Sequence, residues 1–224
     1  MLRYEDLKDI SDGRIYTEND MVRADTMGCK GCSKCCESDM GKSIVLDPYD
    51  MYHLIRATGK TFDELLVAFL IEMNLIDGIV LPNIKMDKGC GFLDENKRCS
   101  IHKDRPSICR LFPLGRIYNE TGFDYILQTN ECPEARSKIK VKKWIDIEDY
   151  DEHSAFIKKW HSFLGYARKK VMEQEEPEKA KEIMKVVIRE FYMTGYDTKK
   201  DFYSQFKDKM REALSDIRYH DKGF

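Results

Sequence analysis

Along the last third of the chain, apolar positions recur every three or four residues. Phe156, Trp160, Phe163, Leu164, Ala167 and Val171 form one stripe. Pro177 opens a second segment carrying Ala180, Ile183, Met184, Val187 and Phe191, and Phe202, Phe206, Met210, Ala213 and Ile217 make a third. That period predicts three amphipathic helices from Asp151 onward, packed on each other and on the rest of the chain. Upstream, Asp47-Pro48 has the cap and first-turn pairing that starts a helix, expected to reach about Gly59. Thr61 and Glu64 form a capping-box pattern for a second helix to about Asn74. Ile79–Ile84 and Cys90–Leu93 read as short extended pieces. Leu114–Tyr118 and Phe123–Leu127, split by Asn119-Glu120-Thr121-Gly122, read as a β-hairpin. The expected fold is α+β and mostly helical: a cysteine-rich metal-binding module with a small β-hairpin, plus a C-terminal helical half.

Composition narrows the function. The 224 residues carry 38 Lys and Arg against 40 Asp and Glu, so polyelectrolyte binding to nucleic acid is not expected. Basic runs such as Arg168-Lys169-Lys170 and Lys199-Lys200 read as solvated helix faces, and Glu173, Glu175 and Glu176 lie close to the first. No apolar run approaches the roughly 20 residues of a membrane span. The opening MLRYEDLKDISDG lacks the basic-then-apolar layout of a secretory signal, so a cytoplasmic protein is expected.

Eight cysteines change the picture most. They stand at 29, 32, 35, 36, 90, 99, 109 and 132, with none beyond. Charge divides at the same place: residues 1–133 carry 17 Lys and Arg against 22 Asp and Glu, and the remainder 21 against 18. A cysteine-cluster domain over 25–135 and a helical region over 150–220 are expected, packed together or as one continuous domain.

A cytoplasmic setting argues against four disulfides, and adjacent Cys35 and Cys36 are poorly placed to bridge each other. Metal chelation fits better. Cys29, Cys32, Cys35 and Cys36 form a C-x2-C-x2-C-C run, in which a tight turn aims paired sulfurs at one ion. Gly28 and Gly31 suit such a turn. Three cysteines spaced C-x2-C-x2-C with a distant Cys-Pro, here Cys132-Pro133, also match an iron–sulfur ligand layout. The radical S-adenosylmethionine spacing C-x3-C-x2-C is absent, as is the second C-x2-C knuckle of a zinc ribbon. On a helix, Cys29, Cys32 and Cys36 would share a face and Cys35 would point about 100° away, which predicts different ions or corners for Cys35 and Cys36. Cys99-x2-His102 has ligand-like spacing too, while His53, His153, His161 and His220 read as surface or packing residues.

The C-x2-C-x2-C-C run, GCGFLDENKRCSIH, RPSICRLFP and a last Cys before Pro together resemble the YkgJ-type cysteine-cluster family, CxxCxxCC. All eight cysteines match its order, as do Arg105-Pro106 and Cys109-Arg110. The resemblance spans roughly residues 25–135 and implies zinc or iron chelation by Cys29, Cys32, Cys35, Cys36, Cys90, Cys99, Cys109 and Cys132. Many members carry tyrosine where this chain has His102, so the resemblance gives His102 no ligand role. Some members are described as iron–sulfur oxidoreductases and others as flagellin lysine methylases. No glycine-rich turn for a methyl donor is visible here, so neither activity is carried over. Arg105 and Arg110 are candidates to offset thiolate charge around the cofactor, although Asp104-Arg105-Pro106 can also simply open a short helix capped by Asp104. Iron or an iron–sulfur cluster is preferred, with structural zinc in an interaction module as the alternative. The C-terminal helices are the expected contact for a protein partner or substrate, with no role foreseen for nucleic acid or membrane. No catalytic residue set stands out.

Overall fold

A computed structural model describes residues 7–26, 32–39, 44–86, 89–129, 131–132, 135 and 137–222. Among these, α and β are mixed and the sheets are small. A short helix α1 (Leu7–Ile10) leads to β1 (Met21–Asp25), and a π-helical turn covers Cys35–Asp39. There follow β2 (Ile44–Val45), α2 (Pro48–Thr58), α3 (Phe62–Val67), β3 (Ile71–Ile76) and β4 (Ile79–Ile84). After a 3-10 turn at His102–Asp104 come α4 (Ser107–Leu111), β5 (Leu114–Asn119), β6 (Gly122–Leu127), β7 (Ser137–Lys140) and α5 (Val141–Ile145). Three long helices finish the chain: α6 (Tyr150–Met172), α7 (Pro177–Ile188), continued by a π-helical turn at Arg189–Met193, and α8 (Phe202–Lys222).

Helix α2 forms where its caps dictate. The Asp47 carboxylate accepts from Asp50 N at 2.8 Å, Asp50 accepts from Asp47 N at 3.1 Å, and Gly59 closes the helix in the left-handed region at φ 67°. The Thr61–Glu64 box opens α3 as the spacing predicts, but the helix ends at Val67 and not near Asn74. Phe69 turns left-handed at φ 56°, and Asp77 and Gly78 both take positive φ, 47° and 84°. Two such residues between apolar runs make the tight turn that favours a hairpin, so Ile71–Ile76 becomes a strand paired with β4. Cys90–Leu93 is not a strand either; only Leu93 bridges, to Cys99. The β5–β6 hairpin stands as expected.

The sheets run β1-β7, β2-β4-β3 and β5-β6. One core joins the β2-β4-β3 sheet, α2 and α3 to the three long helices, with Leu46, Leu54, Leu65, Trp160, Val187, Phe191 and Phe206 buried in it. Across it, the Tyr192 hydroxyl donates to Leu46 O at 2.9 Å, and Arg168 Nε on α6 donates to Asp77 O in the β3–β4 turn at 2.6 Å. A second core, including Val22, Leu114, Tyr125, Val141 and Ile145, lies under the other two sheets. No helix among the described residues is long and apolar enough to cross a membrane.

Two histidines expected to be ordinary are buried beside Tyr49: its ring lies 4.2 Å from that of His53 and 4.7 Å from that of His153. Burial lowers the His53 pKa from the usual 6.5 to about 4, against the pull of Asp104. Burial also holds His153 well below that value, with Arg116 adding to the effect. Below pH 6.5 the unfolded chain therefore binds protons that the folded chain refuses, and stability is lost as pH falls from about 6.5 toward 4. Urea midpoints measured at about pH 7 and about pH 5 are expected to differ, and less so in His153→Phe. An unchanged difference in that variant would remove His153 from the account.

Candidate metal centre

The two cysteine groups meet at a backbone contact. Ser33 O accepts from Cys36 N at 2.8 Å and Glu37 N at 2.9 Å, which starts the coil that the π-helical turn continues. Cys36 O in turn accepts from Cys90 N at 2.8 Å, bringing the second group against the first. Gly89 permits the approach: its φ is 94°, and a Cβ there would sit 3.3 Å from Cys36 O.

The Cys90–Cys99 loop is folded by its polar residues. Asp94 Oδ1 accepts from Asn96 N at 2.9 Å and Arg98 N at 2.8 Å, and Ser100 N donates to Phe92 O at 2.8 Å. Lys97 reaches back to Glu37 at 2.9 Å. Cys109 arrives on α4, which is anchored to α2 because Ser107 N donates to Asp50 Oδ1 at 2.7 Å. Asp104 does not cap this helix. It pairs with His53 at 2.9 Å and with Arg56, while Pro106 occupies the cap position.

These elements set Cys35, Cys36, Cys90, Cys99 and Cys109 within electrostatic reach of one another. The Cys36 thiol is pushed far up by its contact with Cys35, then by burial, then by Cys109 and Cys90. Burial raises Cys90, with Cys99 and Cys35 adding to it. Burial raises Cys99 as well, partly offset by the Ile101 N–H and the Arg105 charge. Cys109 is raised by burial, by Asp50 and by Cys90, Cys35 and Cys99. These four thiols thus resist ionising, and a bound cation would stabilise them as thiolates.

The Cys35 and Cys36 sulfurs lie 3.9 Å apart, so the two adjacent side chains do not diverge as the helical projection suggested. The segment winds as a π-helical turn and not as the α-helix of the projection. Two sulfurs on one tetrahedral ion, at bond lengths of about 2.3 Å, would stand about 3.8 Å apart. The donor chemistry therefore fits a thiophilic metal. Among the described residues, no three His, Cys, Asp or Glu side chains are already arranged around a metal position.

Cys32 and Cys132 are partly buried. Cys29, Gly28, Gly31 and Pro133 lie outside the described residues. Arg105 projects its charge onto Cys99 and donates to His102 O at 2.8 Å. Arg110 is spent differently: Nε donates to Arg105 O at 3.2 Å, Nη1 to Asp146 O at 3.0 Å and Nη2 to Lys103 O. His102 is exposed, with its ring 3.5 Å from the Arg105 guanidinium.

Residues 28–135 match the family model CxxCxxCC, described as a putative zinc- or iron-chelating domain. This segment is a CxxCxxCC domain. No curated protein and no solved structure matches the chain. All eight cysteines fall within the CxxCxxCC domain, which identifies metal binding as its general property.

Sequence reasoning missed Asp50, which completes the capping box of α2 at its third position and also fixes the start of the Cys109 helix of the CxxCxxCC domain. The D-P-x-D spacing at Asp47–Asp50 carried the first role; nothing local carried the second, because Ser107 is 57 residues away. Burial raises both carboxyls above the usual range, and Arg116 opposes the rise in each.

Proposed function

We propose that the chain holds an iron–sulfur cluster through its clustered cysteines. The 2.8 Å backbone contact from Cys90 N to Cys36 O, which sets the two cysteine groups against each other, supports this reading. One tetrahedral ion takes four ligands, so five thiols within electrostatic reach of one another suit a centre with more than one metal atom. Cys29, Cys32 and Cys132 complete the proposed ligand set on the strength of their motif. Arg105 offsets thiolate charge at Cys99, and the Cys90–Cys99 loop and α4 hold their sulfurs at the partly buried meeting point. When bound, such a cluster would supply one-electron transfer.

A structural zinc ion is the second reading, favoured by the 3.9 Å Cys35–Cys36 pair, which suits two sulfurs on one ion. Metal analysis and the visible spectrum of anaerobically purified protein separate the two. A brown protein with iron and acid-labile sulfide, bleaching in air, is expected. A colourless protein with stoichiometric zinc would overturn the cluster in favour of the second reading.

A further inference from the structure

Helices α6 and α8 both pack on α7 and leave a long groove between them on the outer side, with a cavity of about 610 Å³ and an adjoining one of about 420 Å³. Its floor is apolar. Phe163 and Phe206 close the bottom, and Met210, Leu214 and Tyr166 remain partly exposed along it. On α8 the lining repeats as Phe206, Met210, Leu214 beside Lys207, Arg211 and Arg218. On α6, Lys158 and Lys159 stand on the other wall.

All the charged residues lining the groove are basic. Two have acidic neighbours outside it: Lys207 lies 3.8 Å from Glu152, and Arg211 lies 2.7 Å from Asp208. Lys158 sits over the Phe123 ring at 6.0 Å. Three cations more than acids therefore border an apolar trough. From Phe206 to Arg218 the trough extends about 18 Å at 1.5 Å per residue, the length of a three-turn helix.

We propose that this groove binds an acidic amphipathic helix supplied by a partner protein. Its apolar stripe would fill the trough over Met210 and Leu214, and its carboxylates would meet the basic walls. Methionine on the floor suits such docking, because its unbranched side chain adapts to the incoming surface. A second copy of this chain is disfavoured, since a two-fold contact would set the same basic walls against each other. Nucleic acid is disfavoured because the floor between those walls is mostly apolar, formed by Phe163, Phe206, Met210 and Leu214. The inference is independent of which metal the cysteines hold.

Two synthetic amphipathic helical peptides with the same leucine stripe, one flanked by Glu and one by Lys, test it by fluorescence anisotropy on the full chain. The Glu peptide is expected to bind at least about ten-fold more tightly than the Lys peptide, with an advantage that salt erodes. The double variant Lys159→Glu, Arg211→Glu alters two exposed positions and should abolish that preference while its circular dichroism is unchanged. Equal binding of the two peptides, no binding of either, or a preference retained in the double variant would overturn the proposal. So would tighter binding to anionic phospholipid vesicles or to an RNA duplex, or self-association through the groove in ultracentrifugation.

Discussion

Cys109→Ser is expected to reduce metal affinity by about 100-fold or more, the largest effect of any single substitution in the cysteine module. Loss of a supporting residue around a metal ligand typically costs 10–100-fold, and loss of the ligand itself exceeds that. Cys109 is the strongest choice because Cys90, Cys35 and Cys99 all bear on it, and because α4 carries it on a helix anchored to α2 through Asp50 and Ser107. A serine hydroxyl keeps the size but is a far poorer donor to a thiophilic metal. The anchor from Ser107 N to Asp50 is untouched, so the fold around α4 is expected to persist. Competition against a chelating dye under anaerobic conditions measures the loss. His102→Ala provides the contrast: the ring is exposed and leans on Arg105, so affinity is expected to stay within about two-fold. Unchanged affinity in Cys109→Ser would remove this cysteine from the ligand set. A matching loss in His102→Ala would add histidine to it.

The helical part of the fold was legible because its information is local. The stripes on α6, α7 and α8 place Trp160, Phe163, Val187, Phe191 and Phe206 in the core as their periodicity predicts. Caps were equally readable: Asp47-Pro48 starts α2 and Thr61–Glu64 opens α3 as written. The β3 strand was not read, although Asp77-Gly78 carries a hairpin signal, because Phe62–Asn74 continues a plausible helical pattern past Val67. Strands β1, β2 and β7 are short and pair with partners far along the chain, as Val22 does with Ile139, so no local period marks them. At the metal centre, the type of donor was plain from spacing. The proximity of Cys35 and Cys36 was not, since spacing alone does not set the side-chain directions of adjacent residues. The arginines show the same limit. Both were candidates to face sulfur, yet one guanidinium is committed to carbonyls.

That commitment makes Arg110 the second large effect. Arg110 is only 7% exposed, and its guanidinium donates to three carbonyls: Lys103 O and Arg105 O in the loop before α4, and Asp146 O just after α5. It therefore ties the approach to Cys109 to the connection that leads into α6. Asp146 itself is left-handed at φ 54°, a conformation that aspartate tolerates better than most non-glycine residues. Arg110→Ala leaves three carbonyls short of a donor and opens a cavity where the side chain lay. A loss of about 3 kcal/mol or more is expected, which in a chain of this length lowers the melting temperature by about 10 °C. Arg110→Lys separates the possible roles. An ammonium group supplies the same charge near the centre but cannot span three carbonyls set around a planar fork. If Arg110 acts mainly as a clasp, the lysine variant should lose most of the stability that alanine loses. If its charge serves the thiolates, lysine should restore metal affinity relative to alanine, whatever the melting temperature. Recovery of both stability and affinity in Arg110→Lys would show that the three carbonyl contacts contribute little and that the positive charge is what the fold uses.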